Sequence, residues 1–201
     1  MFPKITDSVQ MAVGQSPSGI ASLDVLESLR LCDPRTLKTT LSRLNKSGRI
    51  IRLKRGAYST SPMQDPFACA QAAFGGYIGF SSALYIHKLI SELPFGISVV
   101  TRDVSKTKTI GQYEFRAVAL KEKAIGFETR GPYVVSTRAK TLFDCICLPR
   151  YAVDFQKMID AYAASPLSIK ERREFDGYVG KFARGNVAKR IKAARDALGG
   201  P

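Results

Sequence analysis

Between Pro34 and Lys46 the apolar positions recur with the period of a helix. Leu37, Leu41 and Leu44 are spaced by four and three residues, so at about 3.6 residues per turn they form one apolar face. At a step of about 100° per residue, the other positions point away from that face. None of them is acidic. The pattern therefore predicts an amphipathic helix whose exposed face is polar and free of negative charge.

Both ends of this helix have sequence signals, and a hairpin is predicted after it. Asp33 before Pro34 predicts the start, because an aspartate side chain accepts from free helix amides and proline suits the first helical position. Gly48 predicts the end, since glycine adopts the left-handed conformation at low cost. Two strand-like runs follow at 49–53 and 57–59, and a Lys-Arg-Gly turn separates them.

The segments before this helix complete a recognisable order of elements. Leu23, Val25, Leu26 and Leu29 form a shorter amphipathic segment, and a first helix is expected within residues 1–19. Helix, turn, helix and hairpin in this order are typical of a winged helix-turn-helix domain, which we expect over residues 1–62. The stretch TSPMQDP at 60–66 contains two prolines and is interpreted as a linker.

Residues 67–201 are predicted to form a second domain of the α+β class that ends in a helical tail. Runs rich in β-branched and aromatic residues indicate strands at 97–101, 113–120, 124–127 and 133–136. Helical periodicity indicates helices at 81–90, 137–148, 153–163, 168–182 and 186–198. Ser81 or Ser82 is the expected N-cap of the first of these helices. The α+β class follows because strands and helices form separate runs along the chain.

The chain is strongly basic. It has 201 residues, with 31 Lys and Arg against 17 Asp and Glu, a formal net charge of +14 and a pI of about 9.8. This charge indicates an anionic partner, which is a nucleic acid, an anionic membrane surface or an acidic protein. No apolar run approaches the roughly 18 residues that a membrane span needs, and the segment MFPKITDSVQ has no apolar signal core. We therefore expect a cytoplasmic protein with no membrane partner.

The basic residues are concentrated on the predicted helix and hairpin. Nine Lys or Arg and one acid, Asp33, lie between Arg30 and Arg55, a density suited to neutralising DNA phosphates. The expected contacts to base edges in the major groove are Arg35, Thr36 and Thr39. The expected phosphate contacts are Lys38, Ser42, Arg43 and Lys46 on the helix, and Lys54 and Arg55 at the hairpin tip. A merely solvated helix face is the alternative for this segment.

A second basic set lies in the helical tail. Nine Lys or Arg stand against four acids between Lys170 and Asp196. This set predicts either solvated helices or a second surface for an anionic partner, which would be flanking DNA, an RNA or a protein.

The sequence gives no specific sign of catalysis, a metal or a cofactor. A nucleophile elbow, a P-loop and a zinc-protease motif are all absent from it. The single histidine, His87, lies in an apolar helical segment, where we expect a packed and hydrogen-bonded side chain. A metal-dependent nuclease is an alternative in which Asp103, Glu114 and Glu122 would converge. Surface ion pairs with neighbouring lysines and arginines account for these carboxylates better.

Four cysteines bear on the redox state. Their positions, Cys32, Cys69, Cys145 and Cys147, give no Cys-x-x-Cys spacing. We therefore expect reduced, partly buried thiols and neither zinc ligation nor a disulfide framework.

Three stretches together resemble a known family. They are LSRLNKSGRIIRLKRGAYS at 41–59, SSALYIHKLI at 81–90 and VVSTRAKTLFDCICLP at 134–149. The sequence resembles the AbiEi family of antitoxins from type IV toxin-antitoxin and abortive-infection systems. The family commonly has proline and glutamate before the Lys-Thr-Leu-x-Asp run, where this chain has Thr137, Arg138 and Ala139. The resemblance therefore implies no role for an acidic residue at this point of the chain.

The resemblance implies a function and partners. In that family an N-terminal winged helix binds inverted repeats in its own promoter, and the C-terminal domain contributes to antitoxin activity and cooperative repression. It implies a nucleotidyltransferase toxin that is opposed without a stable complex. The Lys-Thr-Leu-x-Asp run places Lys140 and Asp144 four residues apart, in the less favourable order for a helical ion pair, so we expect little stabilisation from them.

The predicted function is therefore transcriptional repression by a non-enzymatic DNA-binding protein that is the antitoxin of its own operon. We expect it to bind as a monomer or cooperatively on an inverted-repeat operator. A nuclease with a winged-helix domain and a ligand-sensing regulator are the alternatives. The latter would need a pocket in the second domain.

Overall fold

A computed structural model describes residues 4–199 and shows a mixed α+β fold with a helical C-terminal part. The chain divides into two compact units. The first extends to Gly75 and includes Lys108–Phe115, and the second comprises Gly76–Thr107 and the residues from Arg116 onward. This division differs from the predicted boundary at 62–67, because helix Pro66–Phe74 belongs to the first unit. The predicted domain ends at 1–3 and 200–201 lie outside the described residues.

From residue 4 onward, the first unit contains four α-helices and a small antiparallel sheet. The helices are α1 (Ile5–Gln15), α2 (Leu23–Ser28), α3 (Pro34–Lys46) and α4 (Pro66–Phe74). The strands are β1 (Ile20–Ser22), β2 (Ile50–Lys54) and β3 (Ala57–Thr60), in the order β1-β3-β2. The predicted helix and hairpin at 34–60 are thus present within one residue of their expected bounds.

The core of this unit is formed by the predicted apolar face of α3. Leu37, Leu41 and Leu44 are buried against Leu26 and the aliphatic side chains of α1. The expected amphipathic segment before α3 is shorter than predicted. Val25 and Leu29 are each 49% exposed, because α2 has six residues and turns Leu26, with Leu23 partly buried, toward the core.

The ends of α3 follow the sequence signals. The Asp33 side chain accepts hydrogen bonds from the backbone amides of Arg35 and Thr36, at 3.1 and 3.0 Å. Hydrogen bonds from Thr36, first from its side chain and then from its backbone, hold the pKa of Asp33 below its usual value. Gly48 follows the helix with a φ of +72°, which glycine adopts without strain.

Among the described residues, the second unit contains most of a six-stranded sheet and five α-helices. The strands are β4 (Tyr77–Ile78), β5 (Gly96–Thr101), β6 (Lys106–Ile110), β7 (Tyr113–Ala119), β8 (Phe127–Arg130) and β9 (Tyr133–Ser136), in the order β6-β7-β5-β4-β9-β8. The helices are α5 (Phe80–Ile86), α6 (Arg138–Cys147), α7 (Phe155–Ala164), α8 (Ile169–Phe182) and α9 (Asn186–Ala197). Strand β4 pairs with β9 in parallel and with β5 antiparallel.

One strand prediction in this part of the chain is wrong, and one strand, β6, was missed. Most of the predicted strand at 124–127 is a loop that follows a short 3-10 helix, Lys121–Lys123, and only Phe127 is in a strand, as the first residue of β8. Strand β6 was not predicted, since the run Lys-Thr-Lys-Thr-Ile has no large apolar residue until its end. It is an edge strand, where lysine side chains are common because they discourage pairing with other chains.

The predicted cap of α5 is also wrong. The helix begins at Phe80, and Gly79 is its N-cap in an extended conformation. Ser82 is buried within the helix, and its hydroxyl accepts from the backbone amide of Ser98 at 3.0 Å. Its side chain therefore ties α5 to β5 instead of capping the helix.

The predicted tail helices are confirmed within two residues as α7, α8 and α9. Helix α8 begins with a capping box, in which the Ser168 hydroxyl accepts from the Glu171 amide and the Glu171 carboxylate accepts from the Ser168 amide. Helix α8 packs on α6 through an aromatic cluster of Phe143, Phe175 and Tyr178. Within residues 4–199, no helix is both long enough and apolar enough to cross a bilayer.

Candidate nucleic-acid interface

Helix α3 separates cleanly into a buried face and a basic face. The buried residues are Leu37, Thr40, Leu41 and Leu44. Of the seven predicted contact residues on α3, Thr36 is half-buried and the others, Arg35, Lys38, Thr39, Ser42, Arg43 and Lys46, are exposed. The predicted orientation of this helix is therefore confirmed.

The exposed residues of α3 fall into rows with different surroundings. At about 100° per residue, the row farthest from the core consists of Arg35, Thr39, Ser42 and Lys46. A row along one flank contains Lys38 and Asn45, and the opposite flank has Thr36 and Arg43. The flank with Lys38 and Asn45 faces the β2–β3 hairpin, because Asn45 is hydrogen bonded to β2.

A groove of about 380 Å³ lies between α3 and this hairpin. Its polar side chains are Lys38, Ser42 and Asn45 from the helix and Arg52 and Arg55 from the hairpin. The apolar side of the groove is formed by Leu23, Leu41, Gly56 and Tyr58. The described lining thus contains three bases and no acid.

The groove brings together three of the nine predicted contact residues, namely Lys38, Ser42 and Arg55. The other six do not line it. Lys54 is exposed at the end of β2, beside the groove residue Arg55. Arg49, which is counted in the basic segment, points to α1, where it bonds to Asp7 and Gln10 at 2.7 Å each.

Asn45 and Arg52 are groove residues that the pattern of apolar positions did not reveal. The Asn45 Oδ1 accepts a hydrogen bond from the Arg52 backbone amide at 2.8 Å. Arg52 lies opposite Tyr58 in the β2–β3 ladder, and a register shift follows between Arg52 and Lys54. Such an irregularity increases the local twist of a hairpin. The place of both residues in the groove depends on this hydrogen bond between α3 and β2. The helical period of the sequence does not specify such a contact.

Lys38 is the one groove lysine, and it has a carboxylate beside it. Its Nζ lies 3.3 Å from Oε1 of Glu27 on α2, without the alignment of a hydrogen bond. The Lys38 side chain is 59% exposed, so this pair is solvated and worth little to stability. Arg55 and Arg35 are exposed and make no ion pair among residues 4–199.

Many of the nine basic residues in the tail are bonded within the second unit. Arg195 pairs with Asp176, Arg190 donates to the Cys147 carbonyl, and Arg172 donates to the Leu167 carbonyl. Arg184 donates to the Ala183 carbonyl at 2.8 Å. By contrast, Lys170, Lys189 and Lys192 are exposed and have no ion-pair partner in the described part of the chain.

The expectation that Lys140 and Asp144 form a weak helical ion pair is wrong, because the pair is buried. The side chains are 0% and 3% exposed, and Lys140 Nζ lies 2.5 and 2.6 Å from the two carboxylate oxygens. The ammonium also lies 5.8 and 5.7 Å from the ring centroids of Phe143 and Tyr178. Burial raises the pKa of Asp144 to about 6, even with the Lys140 ammonium next to it.

His87 is packed and hydrogen bonded, as expected. Its Nε2 lies 2.7 Å from the Ser136 carbonyl oxygen and must donate, because a carbonyl can only accept. The other ring nitrogen, Nδ1, is buried without a partner among the described residues. Burial lowers the pKa of His87.

The carboxylates and cysteines that were considered as metal-binding or catalytic groups do not form a cluster among the described residues. Asp103 lies 3.2 Å from Lys121 and 3.9 Å from Arg102, so it makes the surface ion pairs expected for it. Within residues 4–199, no three His, Cys, Asp or Glu side chains are grouped to hold a metal ion. The four cysteines are free, and Cys69 and Cys145 are buried.

Comparison with known proteins identifies a similar fold. The structure resembles the crystal structure of the Rv2827c protein from Mycobacterium tuberculosis, with a TM-score of 0.67 and 13% sequence identity. The match covers 100% of this chain and 79% of that chain. At this identity the likeness concerns the fold alone. No family model and no curated protein matches the sequence.

Proposed function

We propose that the first unit is a winged helix that binds double-stranded DNA, with α3 as the recognition helix and the β2–β3 hairpin as the wing. The observation that carries this proposal is the groove between the two elements, whose described lining has three bases and no acid. The outer row of α3, which includes Arg35 and Lys46, lies next to this groove. An α-helix flanked by a basic hairpin fits the major groove and the adjacent backbone.

The proposed DNA contact of each side chain follows from its position on α3 or on the hairpin. Arg35 and Thr39, near the start of α3, are proposed to contact base edges together with Thr36. Lys38, Ser42 and Arg55, which line the groove, are proposed as phosphate contacts. Arg43, Lys46 and Lys54 lie outside the groove and are proposed to contact phosphates elsewhere on the duplex.

Selection from a random duplex library with the full chain tests DNA binding. We expect enrichment of one motif, and a fluorescence titration with Arg35→Ala should then show relaxed sequence preference at a cost of about 1 to 3 kcal/mol. Recovery of no enriched duplex, together with no binding to any duplex at low salt, would refute the proposal. An unchanged preference in Arg35→Ala would refute the role of Arg35 alone.

We further propose that the protein represses its own operon as the antitoxin of a type IV system. This step rests on the resemblance to AbiEi antitoxins, and it implies an inverted-repeat operator and a nucleotidyltransferase toxin encoded alongside. Co-expression with the neighbouring gene tests it. Growth arrest by that gene alone, relieved by this chain without a stable complex, is expected; an innocuous neighbouring gene contradicts the antitoxin role and leaves DNA binding untouched.

A ligand-sensing regulator is the second candidate, and one observation favours it. A cavity of about 300 Å³ in the second unit is lined by Leu142, Tyr162 and Phe175, with Arg172 and the Arg195–Asp176 ion pair at its polar side. The Arg172 guanidinium beside this apolar lining suits a small aromatic or aliphatic carboxylate. A thermal-shift screen of these acids tests this candidate, and a ligand that stabilises the chain should also change its affinity for the selected duplex.

A further inference from the structure

The side-chain amide of Asn45 has one defined orientation in the groove between α3 and the hairpin. Asn45 Oδ1 is bound to the Arg52 backbone amide at 2.8 Å. Because a backbone N–H can only donate, the atom that faces it must be the oxygen of Asn45. The Asn45 side chain is exposed, and its Nδ2 has no partner among residues 4–199. The amide therefore offers two donor hydrogens, while its oxygen accepts from the Arg52 amide.

The other polar groups in the groove are donors as well. Lys38 Nζ and the guanidinium groups of Arg52 and Arg55 can only donate. The Ser42 hydroxyl is able to donate. No carboxylate is present in the described lining, and the carboxylate of Glu27 lies on the α2 side of Lys38. A ligand in this groove thus meets donors on both walls, which is the environment that an oxyanion requires.

We infer that this groove holds phosphates of one DNA strand, and that Asn45 is an uncharged phosphate donor set by the hairpin. The inference rests on the proposed function and assigns the groove to the sugar-phosphate backbone of DNA. The volume of about 380 Å³ is within the range of about 300 to 1,000 Å³ for sites that enclose a small molecule, so it has room for a phosphodiester and its sugar. Within the outer row of α3, Arg35 and Thr39 are left free for base edges.

Replacement of the amide by a carboxylate tests the inference. In Asn45→Asp the oxygen that accepts from Arg52 is kept, whereas the donor becomes a negatively charged acceptor facing phosphate. Gln10→Glu on α1 is the matched control. It makes the same amide-to-acid change in the same unit, keeps an oxygen for its bond from Arg49 at 2.7 Å and lies outside the groove.

Both variants are compared in the full chain by fluorescence anisotropy, with the selected duplex and with an unrelated duplex. Asn45→Asp should weaken binding to both duplexes about tenfold or more, because it replaces a charge-assisted hydrogen bond by repulsion. Gln10→Glu should weaken binding less than about threefold, as expected for one distant, screened charge. Thermal melting of both variants checks that the fold is kept.

A second measurement needs only the wild-type chain. Single phosphates of the selected duplex are replaced in turn by uncharged methylphosphonates, and we expect the largest losses at two or three adjacent phosphates of one strand in each site. Equal losses for Asn45→Asp and Gln10→Glu, or no such run of sensitive phosphates, would overturn the inference while DNA binding stands. Failure of the wild type to bind any duplex would instead overturn the proposed function.

Discussion

At the scale of single residues, Lys140 and Asp144 show how one sequence spacing has two very different outcomes. A lysine and an aspartate four residues apart on a solvated helix are worth a few tenths of a kcal/mol. Here both side chains are buried in the core of the second unit. Their mutual contact compensates for lost hydration, so the integrity of the pair matters more than its net contribution.

Breaking this pair from one side should be costly. Lys140→Met leaves the Asp144 carboxylate buried without its cation, and we expect a loss of about 3 to 5 kcal/mol in the free energy of unfolding. The double variant with Asp144→Leu removes both charges and should regain most of that loss. Urea unfolding of the two variants measures the difference. A single variant as stable as the wild type would contradict the buried pair.

His87 should make stability depend on pH. Burial holds its folded-state pKa below the value of 6.5 in the unfolded chain, so the unfolded state binds more protons in that interval. The stabilisation is present above pH 6.5 and is lost as the pH falls toward the folded-state pKa, by at most about 1.4 kcal/mol per pH unit. His87→Gln, which retains a donor for Ser136, should remove this loss.

The comparison must be between the wild type and His87→Gln because Asp144 acts in the opposite direction. Its raised pKa of about 6 means that protonation at lower pH favours the folded state. Urea unfolding at pH 7.5 and pH 5.5 isolates the histidine as the difference between the two proteins. Parallel pH profiles for both proteins would mean that His87 does not titrate differently on folding.

At the scale of elements, the hairpin places one basic residue inside the groove and another beside it. Arg55 lines the groove and Lys54 does not. If the groove holds phosphates, Arg55→Ala should reduce the slope of log affinity against log salt by about 0.9, the value for one phosphate on duplex DNA. Lys54→Ala should change the slope less. Titrations between about 50 and 200 mM salt measure both variants, and equal slopes would place the two side chains in equivalent positions on DNA.

Elements with local signals could be predicted from the sequence. Helix α3 follows from Asp33, Pro34 and its three leucines, and α8 follows from the helical periodicity of residues 168–182. Each of these signals acts within a few residues of the chain, so the pattern of residues is sufficient. Strand β6 could not be predicted, because an edge strand is held by its neighbour and needs no apolar face of its own.

The groove could be predicted only in part. Exposure of Lys38, Ser42 and Arg55 follows from the helical period and the turn. The participation of Asn45 and Arg52 follows from a hydrogen bond between α3 and β2 and from the register shift in the hairpin. Tertiary contacts of this kind select one orientation of an exposed amide, and no spacing in the sequence specifies that orientation.

At the scale of the whole molecule, the net charge of +14 should act on the rate of DNA association more than on the lifetime of the complex. Positive charge anywhere on the chain raises the local concentration of a polyanion over about one Debye length, which is about 10 Å at 0.1 M salt. Side chains that contact DNA also slow dissociation. The two roles can be separated by changing exposed lysines far along the chain from the groove.

Lys170, Lys189 and Lys192 are suited to this test, because they are exposed and unpaired in the described structure. Replacing all three by glutamine removes three positive charges without breaking an ion pair. If these lysines only steer DNA, the association rate measured by stopped flow should fall severalfold at low salt, the effect should vanish at high salt, and the dissociation rate should not change. A faster dissociation with a reduced salt slope would contradict steering and assign the tail helices to a second contact with DNA.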